Sequence, residues 1–321
     1  MLASLFRSNQ PAVLFTVPVL AGVLFGAQLF APIPPRPVAM PLVELMDHLL
    51  AGSSWARNGL SLLLVMVIAA QLVLLANDME LMDRRNHLPA FFFPVLLAAF
   101  GPHALYGPAL LGMPLVLAAL RRTWSITNHG RALGALFDAG SLLGIAALFY
   151  LPYVFLVVVV WASVSVIRPF QWREYVLPLF GSAWVFYAAW GVLRLLDLTP
   201  WRPLFTIAHE QGVALPDATW RIALYGVLAL LLLVAVVVYA RSYQSSVMRG
   251  KNLRSGLLAF MAALAVVIGA VRLLGGDVHP VLLAVPLGIF AGNAVLGARR
   301  NWLSESVCYA LLAMALVAQW G

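Results

Sequence analysis

Long apolar runs separated by short polar segments form the pattern along the chain. A helix that crosses the hydrocarbon core of a membrane needs about 20 mostly apolar residues. Nine runs approach this length, and the pattern therefore predicts an all-α, polytopic transmembrane helix bundle. The runs are Ala12–Phe30, Gly59–Ala76, Ala132–Tyr150, Pro152–Ile167, Tyr175–Leu196, Trp220–Ala240, Gly256–Leu274, Pro280–Ala298 and Trp302–Trp320.

Two shorter apolar pieces lie between the second and third runs, on either side of the sequence GPHALYGP. Glycine and proline on both sides of His103 predict a tight turn. Residues 88–120 therefore form either two short spans or a re-entrant hairpin, and both alternatives return the chain to the side from which it came. Counted as two spans, they bring the total to about eleven, in a single transmembrane domain over residues 1–321.

Composition supports this interpretation and excludes a soluble protein. The chain is 63% hydrophobic and 10% charged, whereas soluble domains carry about 25% charged residues. The net charge of +8 does not indicate a nucleic-acid partner, because the cations are scattered between apolar runs and form no basic patch. With the N-terminus inside, most cations fall in inner loops, as positive-inside orientation requires. This predicts an N-in, C-out topology.

Two outer segments are longer than turns. In the first outer loop, the sequence PLVELMDHLL places apolar residues near helical spacing with acids between them, which predicts a helix lying along the membrane interface. Its carboxylates are Glu44 and Asp47. The second segment, Asp197–Trp220, carries Trp and Leu side chains that predict contact with the membrane surface.

Asp138 stands alone in the apolar sequence GALFDAGSLLG. Acids inside a span mark functional sites by default. Arg131 shares its helix face two turns earlier, but at 1.5 Å per residue it lies about 10 Å away. A partner must therefore come from elsewhere, and Arg121, Arg122 and Asn293 are the nearest candidates. We interpret Asp138 as a buried structural joint in preference to a proton or ion site.

Glycines surround Asp138 at helical spacing. Gly140 and Gly144 form one G-x-x-x-G pair, and Gly130 and Gly134 form another. Small residues at this spacing allow two helices to approach closely. We therefore expect this helix to pack inside the bundle, with Asp138 facing protein and not lipid.

The outer acids offer a second candidate chemistry. A retained first helix followed by an interfacial helix with carboxylates resembles the GT-C glycosyltransferases, which use a sugar linked to a polyprenyl phosphate. Such a reaction needs a carboxylate that accepts a proton and cations that hold the phosphate. Glu44 or Asp47 would be the catalytic base, with Arg57, Arg194, Arg202 and Arg272 as phosphate candidates. The alternative for these acids is the solvated face of an amphipathic helix.

No metal site or cofactor is predicted. The six histidines show none of the spacings typical of metal-binding helices, and Cys308 is the only cysteine.

The segment LRRTWSITNHGRALGALFDAGSLLGIAALFYLPYVF and the turn RPFQWREY resemble an uncharacterised family of Gram-negative inner-membrane proteins, domain-of-unknown-function family 6427. The resemblance runs from the N-terminus to about Gly181 and is weaker beyond. It implies a multi-pass protein of the bacterial inner membrane, part of the cell envelope, with no activity to carry over.

Three functions remain open at this point. The favoured one is a scaffold or accessory subunit that docks a protein partner in the envelope. The second is a GT-C-like enzyme that acts on a lipid-linked glycan at the outer face. The third is a transporter or flippase that uses Asp138. Membrane lipid is a partner in every case.

Overall fold

The structure is a computed structural model that describes residues 2–8, 10–30, 40–50, 53–101, 105, 107–126, 132–195, 218–245, 248–273, 278–298 and 301–320. These residues form helices and turns and contain no strand. The helices are α1 (Leu2–Arg7), α2 (Thr16–Phe25), α3 (Pro41–Leu49), α4 (Ser54–Asp78), α5 (Leu88–Ala99), α6 (Pro108–Trp124), α7 (Leu133–Phe149), α8 (Val157–Ile167), α9 (Trp172–Leu195), α10 (Ala218–Ser245), α11 (Met248–Leu273), α12 (Val281–Gly297) and α13 (Asn301–Trp320).

In the described part of the chain, five helical segments are long and apolar enough to cross a membrane, and five others are apolar but shorter. The long segments are Ala12–Leu29, Ser54–Asp78, Trp172–Leu195, Gly250–Leu273 and Trp302–Trp320. The prediction of an all-α fold with membrane-type helices is therefore confirmed. One predicted span differs in detail, because Leu151–Leu156 forms a 3₁₀ helix ahead of α8, where Pro152 lies at the helix start and cannot donate a backbone hydrogen bond.

The two short pieces predicted around His103 form α5 and α6. All twelve residues of α5 are buried, and α5 packs against α4, α12 and α13. A twelve-residue helix is about 18 Å long, shorter than the roughly 30 Å hydrocarbon core of a bilayer. Gly288 of α12 lets the backbone of α5 approach, since a Cβ there would lie 3.4 Å from the backbone nitrogen of Phe93. Helix α5 therefore fills the interior of the helical assembly, whereas α6 has one face at the surface.

Glycines bring α7 and α9 into close contact. A Cβ added at Gly140 would lie 2.1 Å from the carbonyl oxygen of Pro178, and one at Gly144 would lie 3.0 Å from Cα of Ser182. The close approach predicted from this G-x-x-x-G pair is confirmed. The second pair behaves differently, because a Cβ at Gly134 would meet nothing within 4 Å and Gly130 lies outside the described residues.

Polar contacts gather the helix ends into two groups. We define the basic end by Arg7, Arg121, Arg122 and Arg254 with the groups they bind, which join the ends of α1, α4, α6, α7, α11, α12 and α13. We define the amide end by Gln28, Asn58 and Gln319, which join α4, α5, α13 and the 3₁₀ turn that follows α2.

Candidate functional site

Two ion pairs link three helices at the basic end. Arg121 Nη2 lies 2.6 Å from Asp78 Oδ2, which ties α6 to α4. Arg122 donates from Nε and Nη2 to Asp138 Oδ2, at 3.1 and 2.8 Å, which ties α6 to α7. The four side chains are 42% to 53% exposed. Two neighbouring arginines on α6 therefore each meet one carboxylate near the surface.

Asp138 is not buried as the sequence suggested. Its side chain is 48% exposed and its partner is Arg122, one of the three candidates named from sequence. The expectation of burial is wrong because α7 uses a different face for packing, the face of Gly140 and Gly144 against α9. Arg131 lies outside the described residues.

A groove of about 630 Å³ opens between α6 and α7 beside these ion pairs. Its lining is polar where α6 ends and α7 begins, and it is apolar further along both helices. The lining residues are Ala118, Arg121, Arg122, Ser125, Asp138, Ser141, Leu142 and Ile145. Since α6 ends and α7 begins at the basic end, the charged groups lie at that end and Ile145 lies about 10 Å further along α7.

The candidate catalytic acids lie on and around α3. Asp47 forms an ion pair with Arg57 at 3.3 Å, so the structure brings one candidate base to one phosphate candidate. Glu44 is exposed, and its carboxylate binds no other described residue. Arg194 and Arg272 occupy exposed positions in the last turns of α9 and α11. Arg202 lies outside the described residues, as does the rest of the segment 196–217.

The outward face of α9 carries a row of aromatic side chains. Trp184, Tyr187 and Trp190 are 53% to 64% exposed, and Tyr187 lies 6.1 Å from each of its two neighbours between ring centroids. Neither their indole N–H groups nor the Tyr187 hydroxyl donates to another described residue. Trp184 stands at the middle of the 24-residue helix, far from both of its ends.

This helix is also the least covered of the long spans. Only 17% of the residues in its most apolar segment are buried, against 33% to 44% in the other four long segments. Among the described helices, α9 packs chiefly against α7 and also against α8. Its aromatic face is therefore open along the central part of the helix.

Sequence reasoning missed the amide end. Asn58 Nδ2 donates to the carbonyl oxygen of Gln28 at 2.6 Å, and the Gln28 and Gln319 side chains bind each other. Gln319 also donates to the carbonyl oxygens of Ala98 and Gly101 at 2.7 and 3.0 Å. A signal was present, since each amide is an isolated polar residue near the end of an apolar run.

The buried pair of Arg168 and Glu174, at 3.4 Å, was also missed. Its side chains are nearly inaccessible and close the turn between α8 and α9. At the start of α13, Glu305 accepts the backbone N–H groups of Ala3 and Ser4, which fixes α1 against α13. In the described part of the chain, no three His, Cys, Asp or Glu side chains are grouped as metal ligands would be.

Comparison with known proteins gives a family and no activity. Neither a curated protein nor a solved structure matches the chain significantly. The family model that matches extends from residue 39 to residue 319, so the family likeness reaches well beyond the N-terminal half in which its motifs were found. The chain belongs to the family of unknown function DUF6427.

Proposed function

We propose that this protein is a non-catalytic, multi-pass component of the bacterial inner membrane, a scaffold or accessory subunit that holds a protein partner. The observation that carries the proposal is the outward face of α9. There, three aromatic side chains with polar groups run from the middle of a membrane-length helix toward its C-terminal end, and no described residue accepts their hydrogen bonds.

Lipid tails alone do not satisfy the polar groups of this face. Trp and Tyr concentrate at the membrane–water interface, where the ring is in hydrocarbon and the N–H or O–H reaches water. At the middle of the membrane, a polar group without a hydrogen-bond partner is less stable than the same group in water. A transmembrane helix that offers hydroxyl, amide or carbonyl acceptors would satisfy these donors, and such bonds join helices in membranes. The chemistry therefore favours a partner helix on α9.

The arrangement of the remaining polar groups gives the other two functions less support. A transporter that uses Asp138 needs a polar path through the bundle, whereas Asp138 opens sideways into the groove between α6 and α7. On its other sides α7 packs against α9 through the close glycine contacts of Gly140 and Gly144. A GT-C-like enzyme needs several cations around its base; Asp47 pairs with Arg57, whereas the second candidate base, Glu44, binds no other described residue.

The proposed topology has eleven spans, with the basic end in the cytoplasm and α3 at the outer interface. The concentration of arginine at the basic end supports this sidedness. The hydrogen bond from Gln319 to the Gly101 carbonyl supports two short spans, because the residue that closely follows α5 reaches the amide end.

Single-cysteine labelling tests the sidedness. Cys308 is buried and can be replaced by serine to give a background without reactive thiols. In cells with a permeabilised outer membrane, His48→Cys on α3 should react with a membrane-impermeant maleimide, whereas Arg85→Cys should react only after lysis. The reverse result would contradict the proposed orientation.

Site-specific photocrosslinking in native membranes tests the docking face. A photoreactive residue at position 187 on α9 should give one protein adduct of defined mass. The same residue at position 234 on α10, where Val234 is 42% exposed, is the matched control and should give lipid adducts only. In a chain that carries the photoreactive residue at position 187, Trp184→Phe should reduce the protein adduct severalfold, because it removes one donor and keeps an aromatic ring.

Equal adducts from positions 187 and 234 would remove the basis for docking on α9. A protein adduct that is unchanged by Trp184→Phe would show that proximity alone, and not the polar groups of the aromatic row, produces the crosslink.

A further inference from the structure

We propose that the groove between α6 and α7 binds one phospholipid with a zwitterionic headgroup that carries a primary amine. This site is on a different face from the docking surface of α9, and it goes beyond the function proposed above. The inference rests on the shape of the groove, on the direction of its polarity and on its three ionised side chains, with Asp78 paired to one of them.

The lining of the groove matches the two parts of a phospholipid. Its polar end holds Arg121, Arg122 and Asp138, with Ser125 and Ser141 beside them, at the ends of the two helices. Ala118, Leu142 and Ile145 continue from there along the helices. A headgroup at the charged end therefore leaves the acyl chain against apolar side chains. The volume of the groove, about 630 Å³, is within the range of about 300–1,000 Å³ that is typical of ligand pockets.

The charges of the groove select the headgroup. Arg122 is paired with Asp138 in the lining, and Arg121 is paired with Asp78 beside it, so these four charges of the described residues sum to zero. The charges are nevertheless separated in space, as are the phosphate and the ammonium group of a zwitterionic lipid. A lipid that carries both signs can bind both kinds of side chain.

Specific atoms remain available for such a headgroup. Arg122 uses Nε and Nη2 for Asp138, and its Nη1 has no acceptor among the described residues. A guanidinium presents five N–H donors in a planar fork that suits phosphate oxygens. Both bonds to Asp138 end on Oδ2, so Oδ1 can accept an ammonium N–H. Phosphate would therefore lie beside the arginines and the amine beside Asp138.

An anionic lipid without an amine should bind less well. Its phosphate would meet the same arginines, but its headgroup would leave Asp138 Oδ1 without a donor and close to a second negative charge. Trimethylation of the amine removes its N–H donors, so a trimethylated headgroup also leaves Asp138 Oδ1 without a donor and should bind less well. The order of affinity should be phosphatidylethanolamine above phosphatidylcholine, with phosphatidylglycerol last.

Lipid retention by the full-length protein tests the site. Protein purified from nanodiscs of equimolar phosphatidylethanolamine and phosphatidylglycerol is released in the mass spectrometer, and the retained lipids are counted. Wild type should retain one phosphatidylethanolamine. Asp138→Asn should reduce the preference for phosphatidylethanolamine by about fivefold, which is the size of one lost exposed ion pair. Arg122→Gln should lower the retention of both lipids.

Matched controls separate the groove from general charge effects. Glu80→Gln and Arg85→Gln make the same charge changes at exposed positions of the loop after α4 and should retain lipid as wild type does. Ala118→Phe fills the groove next to its apolar residues without changing any charge and should abolish retention. Helix content by circular dichroism and a single peak on size exclusion identify the variants that have folded.

Three results would overturn the proposal. They are equal retention of the two lipids by wild type, a preference for phosphatidylglycerol, and retention by Arg122→Gln and Ala118→Phe that equals the retention of the controls. None of these results depends on a protein partner, so failure here is distinguishable from failure of the docking face on α9.

Discussion

The two ends of the bundle are joined by different polar chemistry. At the basic end, Arg121–Asp78 and Arg122–Asp138 are ion pairs whose side chains are about half exposed. At the amide end, the side chains of Gln28, Asn58 and Gln319 are neutral and at least 91% buried, and they bind one another or backbone carbonyls. The residues of the basic end are conspicuous in the sequence, because charged residues are rare along the chain.

This difference in burial and charge indicates which end contributes more to the stability of the fold. An exposed ion pair contributes about 0–1 kcal/mol, since water and salt screen it. A buried amide that loses its partner leaves donors or acceptors unsatisfied, at about 1–3 kcal/mol. The amide end should therefore contribute more to the free energy of unfolding. The basic end should contribute orientation in the membrane and a surface that binds ligands.

The largest effect is expected at the amide end. Gln319→Leu removes two bonds to the carbonyls of Ala98 and Gly101 and one to Gln28. The free energy of unfolding should fall by about 3 kcal/mol, at about 1 kcal/mol for each bond. Unfolding in mixed detergent micelles, followed by circular dichroism, measures it.

Gln71→Leu is the matched control for that substitution. The side-chain oxygen of Gln71 in α4 is buried and has no hydrogen-bond partner among the described residues. Its replacement should leave stability unchanged or raise it. If Gln71→Leu and Gln319→Leu destabilise equally, the amide end has no special role.

A smaller effect is expected midway between the ends, where α7 and α9 meet without charges. Gly140→Ala would place a methyl group 2.1 Å from the Pro178 carbonyl and force the helices apart. A cost of about 2 kcal/mol is expected from such overpacking. Gly134→Ala, in the first turn of the same helix where a Cβ meets nothing within 4 Å, should leave stability unchanged or raise it by up to about 0.5 kcal/mol, because alanine loses less backbone freedom on folding than glycine does. The same micelle assay compares them, and a loss at Gly134→Ala would contradict the packing described here.

The smallest effect is expected at the basic end. Asp138→Asn should lower the free energy of unfolding by about 0.5 kcal/mol, since the pair with Arg122 is half exposed. The loss should disappear in about 1 M salt, where the screening length falls to about 3 Å. A loss above about 2 kcal/mol that salt does not change would show that the aspartate is a buried joint after all, and the contrast between the two ends would fail.

Part of the fold and site could be predicted from the sequence. The apolar runs predicted the helices because a backbone in lipid must satisfy its own hydrogen bonds. Local spacing predicted the contact at Gly140 and Gly144, because residues four apart share a face. Arg122 was named as a partner for Asp138 because the two lie on either side of a short loop.

The same local reasoning failed to predict which face of a helix packs against its neighbour. The sequence around Asp138 is apolar on all sides of α7, so its pattern does not show which side meets α9 and which side opens to a groove. The amide end was invisible for a related reason, since Gln28 and Gln319 are separated by almost the whole chain and spacing carries no information about their contact.

The sequence by itself determined that this chain is a set of membrane-type helices with most of its arginines near their ends. Hydrophobic length and charge at helix ends are local quantities that lipid and water act on directly. Only the tertiary structure decided that α5 fills the interior, that α9 presents an open aromatic face, and that Asp138 lies beside a groove. Those features depend on which helices touch, and contact between helices is fixed by the packing of side chains distant in the chain.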